Sequence, residues 1–227
     1  MQPYFFPYLG YFQLINAVDN FVIYDDVQYI KGGWINKNRI LLNENYSNIG
    51  IPVRKDSYQK NINERYFVED ASEYKSKVLR KIENAYRKAP FFDESISFIY
   101  KTLSFEELNI CKFNSWCLVQ LCSLLKIKTK FLYSSEIIDQ NNSGEARVIG
   151  INQILGTRVY INSYGGLDLY QKENFQKRDI ELCFLKPEQY SYKQFGKTFT
   201  PDLSIIDLLM FNSSDSIIDL LNKYHLE

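Results

Sequence analysis

From residue 129 to 185 the chain alternates short apolar runs with helical patterns: a strand over 129–133, a helix over 144–154, a strand over 158–162, a helix over 167–177 and a strand over 180–185. Connections of this length carry the chain through right-handed crossovers and lay the strands parallel. The alternation predicts an α/β protein with a mostly parallel sheet and flanking helices, of which Rossmann-like and nucleotidyltransferase-like arrangements are two forms. A helical insertion at about 70–127 precedes it. Its first helix runs from Ser72 to Ala89, with Tyr74, Val78, Ile82, Ala85 and Tyr86 at three- and four-residue spacing and Pro90 as its stop. A second covers roughly 92–103. The third opens at Ser104, where Ser104-Phe105-Glu106-Glu107 has the form of a capping box, and reaches about Leu125. Ser204 and Ser214 read as N-caps of segments reaching Phe211 and Tyr224. The length, 227 residues, fits a single α/β domain over 1–227.

The first 39 residues place polar groups where a strand ends. A helix-like run reaches Asp19, the strand Asn20-Phe21-Val22-Ile23-Tyr24 follows, and then come Asp25-Asp26-Val27-Gln28-Tyr29 and Lys31-Gly32-Gly33-Trp34-Ile35-Asn36-Lys37-Asn38-Arg39. In an open α/β sheet ligands bind beyond the carboxyl ends of the strands, because the loops there are free of packing duties while the strands beneath hold them. Residues 25–39 are therefore the first candidate crevice. Asp25 and Asp26 have the chemistry to hold an amine, bind a metal or act as a general base; an Asp in this position also serves simply to turn the chain. Gln28 and Asn36 add polar company. Lys31, Lys37 and Arg39 supply positive charge beside a glycine pair that lets backbone approach a ligand, which suits phosphate; the lysines read equally as a solvated hairpin. Residues 38–43 and 48–54 form a predicted hairpin around Asn43-Glu44-Asn45, bringing Arg39 and Arg54 near this crevice.

Two further strand ends carry candidates. Tyr160-Ile161-Asn162-Ser163-Tyr164-Gly165-Gly166 runs from a strand through a glycine pair into a helix start, where unpaired N–H groups attract anions, although a plain strand-to-helix turn has the same sequence form. Ser134-Ser135 and Ser143-Gly144-Glu145-Ala146-Arg147 bracket another connection. Arg147 in a first helical turn opposes the helix dipole unless an anion joins it.

Composition narrows the chemistry. The 27 basic and 27 acidic side chains cancel, so overall charge steers the protein toward neither nucleic acid nor an anionic membrane. Cys111, Cys117, Cys122 and Cys183 have neither zinc-site spacing nor the density of a disulfide scaffold, and His225 is the only histidine, which disfavours thiol, serine-triad and zinc chemistry. No metal is assigned. Met1 to Val18 lacks the basic start and cleavage site of a signal peptide, and no apolar run approaches the roughly 20 residues of a membrane span, so a cytoplasmic location without membrane insertion is expected. Aromatic residues make up 16% of the chain, Tyr foremost, which suits pockets where sugar or base rings stack but reads more readily as a Tyr-rich core and surface.

The opening Gln-Pro-Tyr-Phe-x-Pro-Tyr-x-Gly-Tyr-Phe, the Asp-x-Phe-Val-Ile-Tyr-Asp-Asp-Val-Gln-Tyr block, Trp-x-Asn-x-Asn-Arg, Tyr86-x-x-Ala89-Pro90, the Tyr160-Ile161-Asn162 to Gly166 turn and Leu203-Ser204-Ile205-Ile206-Asp207-Leu208-Leu209 together resemble the WbqC-like family over nearly the whole chain. The resemblance implies a part in bacterial surface-polysaccharide (O-antigen, lipopolysaccharide or capsule) biosynthesis, and transfer of a small acyl group, glycyl for example, to the amine of a nucleotide-linked amino sugar. On it, Asp25 or Asp26 handles the ammonium, Gln2, Tyr8, Tyr11 and Asn36 meet the sugar, and Arg39, Lys37 and Arg147 hold phosphates. The partner is a nucleotide-linked sugar, with the donor left open between ATP-activated acyl groups and an acyl or aminoacyl carrier protein. A non-catalytic nucleotide-sugar-binding or scaffold protein is the alternative. Family members carry apolar residues before Gln-Pro that form a first strand, whereas here Met1 abuts Gln2, which implies a misassigned start or a clipped strand. A fainter likeness joins this opening to HxGH nucleotidyltransferases, with Tyr8-Leu9-Gly10-Tyr11 at the signature; tyrosines replace both histidines, so the pyrophosphate chemistry does not carry over.

Overall fold

The computed structural model describes residues 1–137 and 143–227. In chain order the elements are α1 (Leu9–Asn16), β1 (Asn20–Ile23), β2 (Lys37–Leu42), β3 (Asn45–Gly50), α2 (Ala71–Tyr86), α3 (Phe92–Leu103), α4 (Ile110–Leu124), β4 (Lys130–Tyr133), α5 (Ser134–Ile137), α6 (Gly144–Ile154), β5 (Val159–Ser163), α7 (Lys172–Gln176), β6 (Glu181–Pro187), α8 (Ile205–Phe211), α9 (Ser214–Leu221) and β7 (Tyr224–Leu226), with 3-10 turns at Ile62–Glu64 and Tyr164–Leu169.

The protein is α/β, but its strands form three small sheets in place of the mostly parallel sheet that the alternation predicts. β1 pairs with β4 in parallel, from Asn20 beside Lys130 to Ile23 beside Tyr133. β5 pairs in parallel with β6, whose other edge takes β7 antiparallel. β2 and β3 make a hairpin where one was expected, with Asn43 and Glu44 at positive φ in its turn, but the second strand covers Asn45–Gly50 in place of 48–54 and leaves Arg54 beyond it. Along the other edge of β1 the Met1 amine donates to Val22 O and Tyr24 N donates to Met1 O, each at 2.8 Å.

The helical insertion appears as expected except at its third member. Ser104 ends α3, turning its hydroxyl back to Tyr100 O, and Asn109 caps α4 by accepting from Lys112 N. Glu107 binds the Asn109 N–H, so the predicted capping box is occupied by a different turn. The helix expected over 167–177 divides into the 3-10 turn, which contains Gly165 and Gly166, and α7. Ser204 caps α8, whereas α9 is capped by Ser213, one residue before the predicted Ser214, and stops at Leu221, with Tyr224 in β7.

The main core runs from the opening aromatics through the insertion to α8 and α9, and fully buried Phe5, Phe6, Phe12, Phe67 and Phe113 lie within it. Burying one such ring stabilises the fold by about 1.5–3 kcal/mol. A smaller cluster of Val148, Phe175, Ile180, Leu182 and Phe184 holds α6 and α7 to β5–β6. The opening loop is fixed by amide side chains: Asn114 donates to Pro3 O and Ile35 O, Asn38 donates to Phe5 O and Phe6 O, and the Ser204 hydroxyl also donates to Phe6 O. These bonds hold Phe6 at φ 43, a left-handed backbone that costs a residue with a side chain about 1–3 kcal/mol and persists only where surroundings determine it.

Candidate functional site

β1 and β4 end side by side, and their next residues interlock. Asp25 and Asp26 follow β1 and are almost wholly buried; Ser134 and Ser135 follow β4. The Ser134 hydroxyl has a single proton and two carboxylates in reach, Asp26 Oδ1 at 2.6 Å and Asp25 Oδ1 at 3.1 Å, so the shorter contact to Asp26 takes it. Asp25 is held by the Ser135 N–H on Oδ1 at 3.1 Å, and by the Ser135 hydroxyl at 2.8 Å and Asn63 Nδ2 at 3.1 Å on Oδ2. Asp26 Oδ2 accepts from Arg147 Nη2, an ion pair whose side chains are 0% and 5% exposed. The Arg147 guanidinium stacks 5.0 Å over Tyr24, and its Nε is buried without a partner. Burial works to lower the Arg147 pKa, but the hydrogen bond and charge of Asp26 outweigh it and raise it. Burial also raises the Tyr24 phenol, against the opposing charge of Arg147.

Of the two carboxylates Asp26 pairs with Arg147, whereas Asp25 is met by the neutral donors Ser135 and Asn63 and has no cation among these partners. Of the residues around them Ser135 is exposed, and its hydroxyl donates inward to Asp25, leaving its lone pairs for a donor arriving from solvent. Cys111, close enough for its thiol to feel the Asp25 charge, is pushed up to about 12, chiefly by burial, and Cys122 likewise to about 12, so neither serves as a thiolate.

The other predicted residues spread over several places. Gln28 is exposed and donates to Tyr58 O, and Lys31 is exposed. Asn36 accepts from the Tyr29 hydroxyl and donates to Ile51 O, which ties the loop before β2 to its surroundings. Tyr11 is buried with its hydroxyl on Gln2 O, while Gln2 and Tyr8 are half-buried, the Tyr8 ring lying over Gly10. Lys37 and Arg39 lie on the hairpin, where Arg39 stacks on Trp34 and Tyr46 and, among the described residues, makes no hydrogen bond or ion pair with the Asp25 cluster. Arg54 turns instead to Phe67 O, Tyr66 and Glu69. Asn162 is buried at the end of β5, accepting from Ser163 N, with Gly166 packed on its amide and Gly165 in the open. An open groove of about 470 Å³ between α6 and α7 is lined by Glu145, Ala146, Ile149, Asn174, Lys177 and Arg178, none of them a predicted site residue.

Sequence reasoning missed Asn63, whose 3-10 turn is announced by an Asn61-to-Glu64 capping box. It also missed Asp207. Within the Leu203–Leu209 run this carboxylate is completely buried and accepts from the Tyr86 and Tyr192 hydroxyls at 2.8 and 2.7 Å and from Gln194 Nε2 at 2.7 Å. A lone acidic residue in an apolar run, with no cation among these partners, was the available signal.

A family model described as the WbqC-like protein family matches residues 2–219. The chain belongs to the WbqC-like family. A relative in Mycobacterium tuberculosis, the uncharacterized protein Rv1507c, is 30% identical over 224 residues, which cover 97% of this chain and 95% of the relative. No solved structure matches. The matched span of this WbqC-like protein contains every residue of the Asp25–Asp26 cluster and the Asp207 network. No helix among the described residues is long and apolar enough to cross a membrane.

Proposed function

We propose that this WbqC-like protein transfers a small acyl group, such as glycyl, to the amine of a nucleotide-linked amino sugar in surface-polysaccharide assembly. The observation that carries the reading is the buried Asp25 carboxylate, which has neutral donors and no cation as partners and is reached from solvent through Ser135. An ammonium group supplies the missing positive charge and donates to Ser135 Oγ. The neutral amine is the nucleophile, so one proton passes through Ser135 Oγ to Asp25. The nitrogen then bonds to the carbonyl carbon of an activated acyl donor, a thioester or acyl phosphate, as the bond to the leaving group breaks; the leaving group departs as thiolate or phosphate, and the nitrogen's second proton passes to it or to water. Asp26 stays paired with Arg147, and Ser134 holds the two strand ends in register.

In the test, the protein is incubated with a panel of nucleotide-linked amino sugars and activated acyl donors, and product masses are read. The reading predicts a sugar heavier by the acyl group and its loss in Ser135→Ala. An unchanged mass with every pair refutes transfer.

A second reading, a non-catalytic nucleotide-sugar-binding or scaffold protein, is favoured by one feature: both oxygens of Asp25 already accept hydrogen bonds, which makes the carboxylate a weaker proton acceptor. It predicts nucleotide-sugar binding by calorimetry without product.

A further inference from the structure

Arg54, Arg65, Arg147 and Arg39 all stack on aromatic rings. The first three have acceptors: Arg54 on Phe67 O, Arg65 on Ser57 O and Arg147 on Asp26. Arg39 differs. Its guanidinium carbon lies 5.0 Å from the Trp34 ring centre and 4.6 Å from that of Tyr46, and its Nε is buried with no partner. Among the described residues its guanidinium enters no ion pair or hydrogen bond, although Arg147 has both.

The backbone around it is fixed. Trp34 O accepts from Phe5 N at 2.9 Å and Arg39 O accepts from Ser204 N at 2.9 Å, so the opening loop and the start of α8 brace the two ends of the segment. Arg39 stands opposite Asn48 and Leu41 opposite Tyr46, which puts Arg39 and Tyr46, the two strand residues of the stack, on one hairpin face, and Lys37, two residues from Arg39, shares that face. Rings against a guanidinium occupy its π faces and leave its N–H edges. Those edges form a planar fork that matches two coplanar oxygens, and here the fork is held in place before any ligand arrives.

We infer that Trp34, Arg39 and Tyr46 form an oxyanion-binding subsite, with Lys37 adding charge at its rim. The oxyanion is the diphosphate of a nucleotide-linked sugar or the carboxylate of an amino acid; naming these sources rests on the proposed function, whereas the subsite itself rests on the Arg39 geometry.

Calorimetric titration of the whole chain with inorganic pyrophosphate, and separately with glycine, distinguishes the sources. One of the two binds, the dissociation constant rises with ionic strength, and Arg39→Ala weakens binding roughly 10- to 100-fold, the scale of one or two charge-assisted hydrogen bonds. Arg39→Lys keeps the charge without the fork and also weakens binding, while its near-native size guards against a failure to fold. If neither probe binds, or both variants bind as tightly as the parent, the subsite is refuted. Pyrophosphate binding without any acylated product keeps the subsite and removes the transfer reaction; acylated product with unaltered KM in Arg39→Lys and Arg39→Ala does the reverse.

Discussion

The Ser134 hydroxyl lies 2.6 Å from Asp26 Oδ1 and ties the end of β4 to the end of β1. Only four residues pair in this ladder, so the side chains beyond it matter to how the two strand ends are held. Ser134 faces inward to Asp26 and Ser135 reaches Asp25 from the exposed side, and this division separates a structural ion pair from a carboxylate with a route to solvent.

The Asp26–Arg147 pair is buried on both sides, so removing one partner strands a charge in a poorly solvated place. Arg147→Met is expected to lower stability by about 3–5 kcal/mol in urea unfolding, and the double change with Asp26→Leu to restore part of it. A single variant as stable as the parent contradicts the pairing.

Asp207 has a pKa raised above its ordinary 3.8, with burial as the main cause and the hydrogen bonds from Tyr192, Tyr86 and Gln194 acting against it. A raised folded-state pKa means that its contribution is fully present below the unfolded value and is lost as pH rises through the folded one. Stability of the parent should therefore fall, relative to Asp207→Asn, as pH rises from about 3.8 through the carboxylate range. Parallel stability-against-pH curves for the two proteins count against this account.

Gly165 and Gly166 are adjacent yet unlike. A Cβ at Gly166 comes within 2.4 Å of the buried Asn162 amide, whereas one at Gly165 meets nothing within 4 Å. Gly166→Ala should cost about 1–3 kcal/mol by overpacking and Gly165→Ala less than about 0.5 kcal/mol, read from thermal melts of both. Equal melting temperatures would show that the β5 turn has no such close packing.

Cys111, Cys117 and Cys122 are buried along α4, and Cys183 is partly exposed in β6. Brief alkylation of the native protein at pH 8 should place one label, on Cys183, with the other three appearing only after denaturation; peptide masses give the sites.

Much of the fold was legible because the signals were local. The spacing of Val78, Ile82 and Tyr86 gave α2, the hairpin turn at Asn43 and Glu44 gave β2–β3, and Ser204 gave the cap of α8. How the strands assemble was not, since the pairing of β1 with β4 and of β5 with β6 in separate sheets is a long-range matter that periodicity does not express. Within the site, strand ends pointed to Asp25, Asp26 and Arg147, and the dipole argument that Arg147 needs an anion met its answer in Asp26. Asn63, 38 residues from Asp25, and Asp207, 121 residues from Tyr86, carry local signals of a turn and of a buried acid, but their partners enter through tertiary contacts that those signals do not name. Arg39 was legible as a cation, but its aromatic neighbours were not, because Tyr46 reaches it only across the hairpin register.

The account turns on Ser135 as the solvent-side entrance to Asp25. Its most direct test is the rate of acyl transfer to a nucleotide-linked amino sugar by Ser135→Ala, beside urea unfolding of the same variant: the account predicts at least a roughly tenfold loss of kcat with stability within about 1 kcal/mol of the parent. Full turnover by that variant contradicts it.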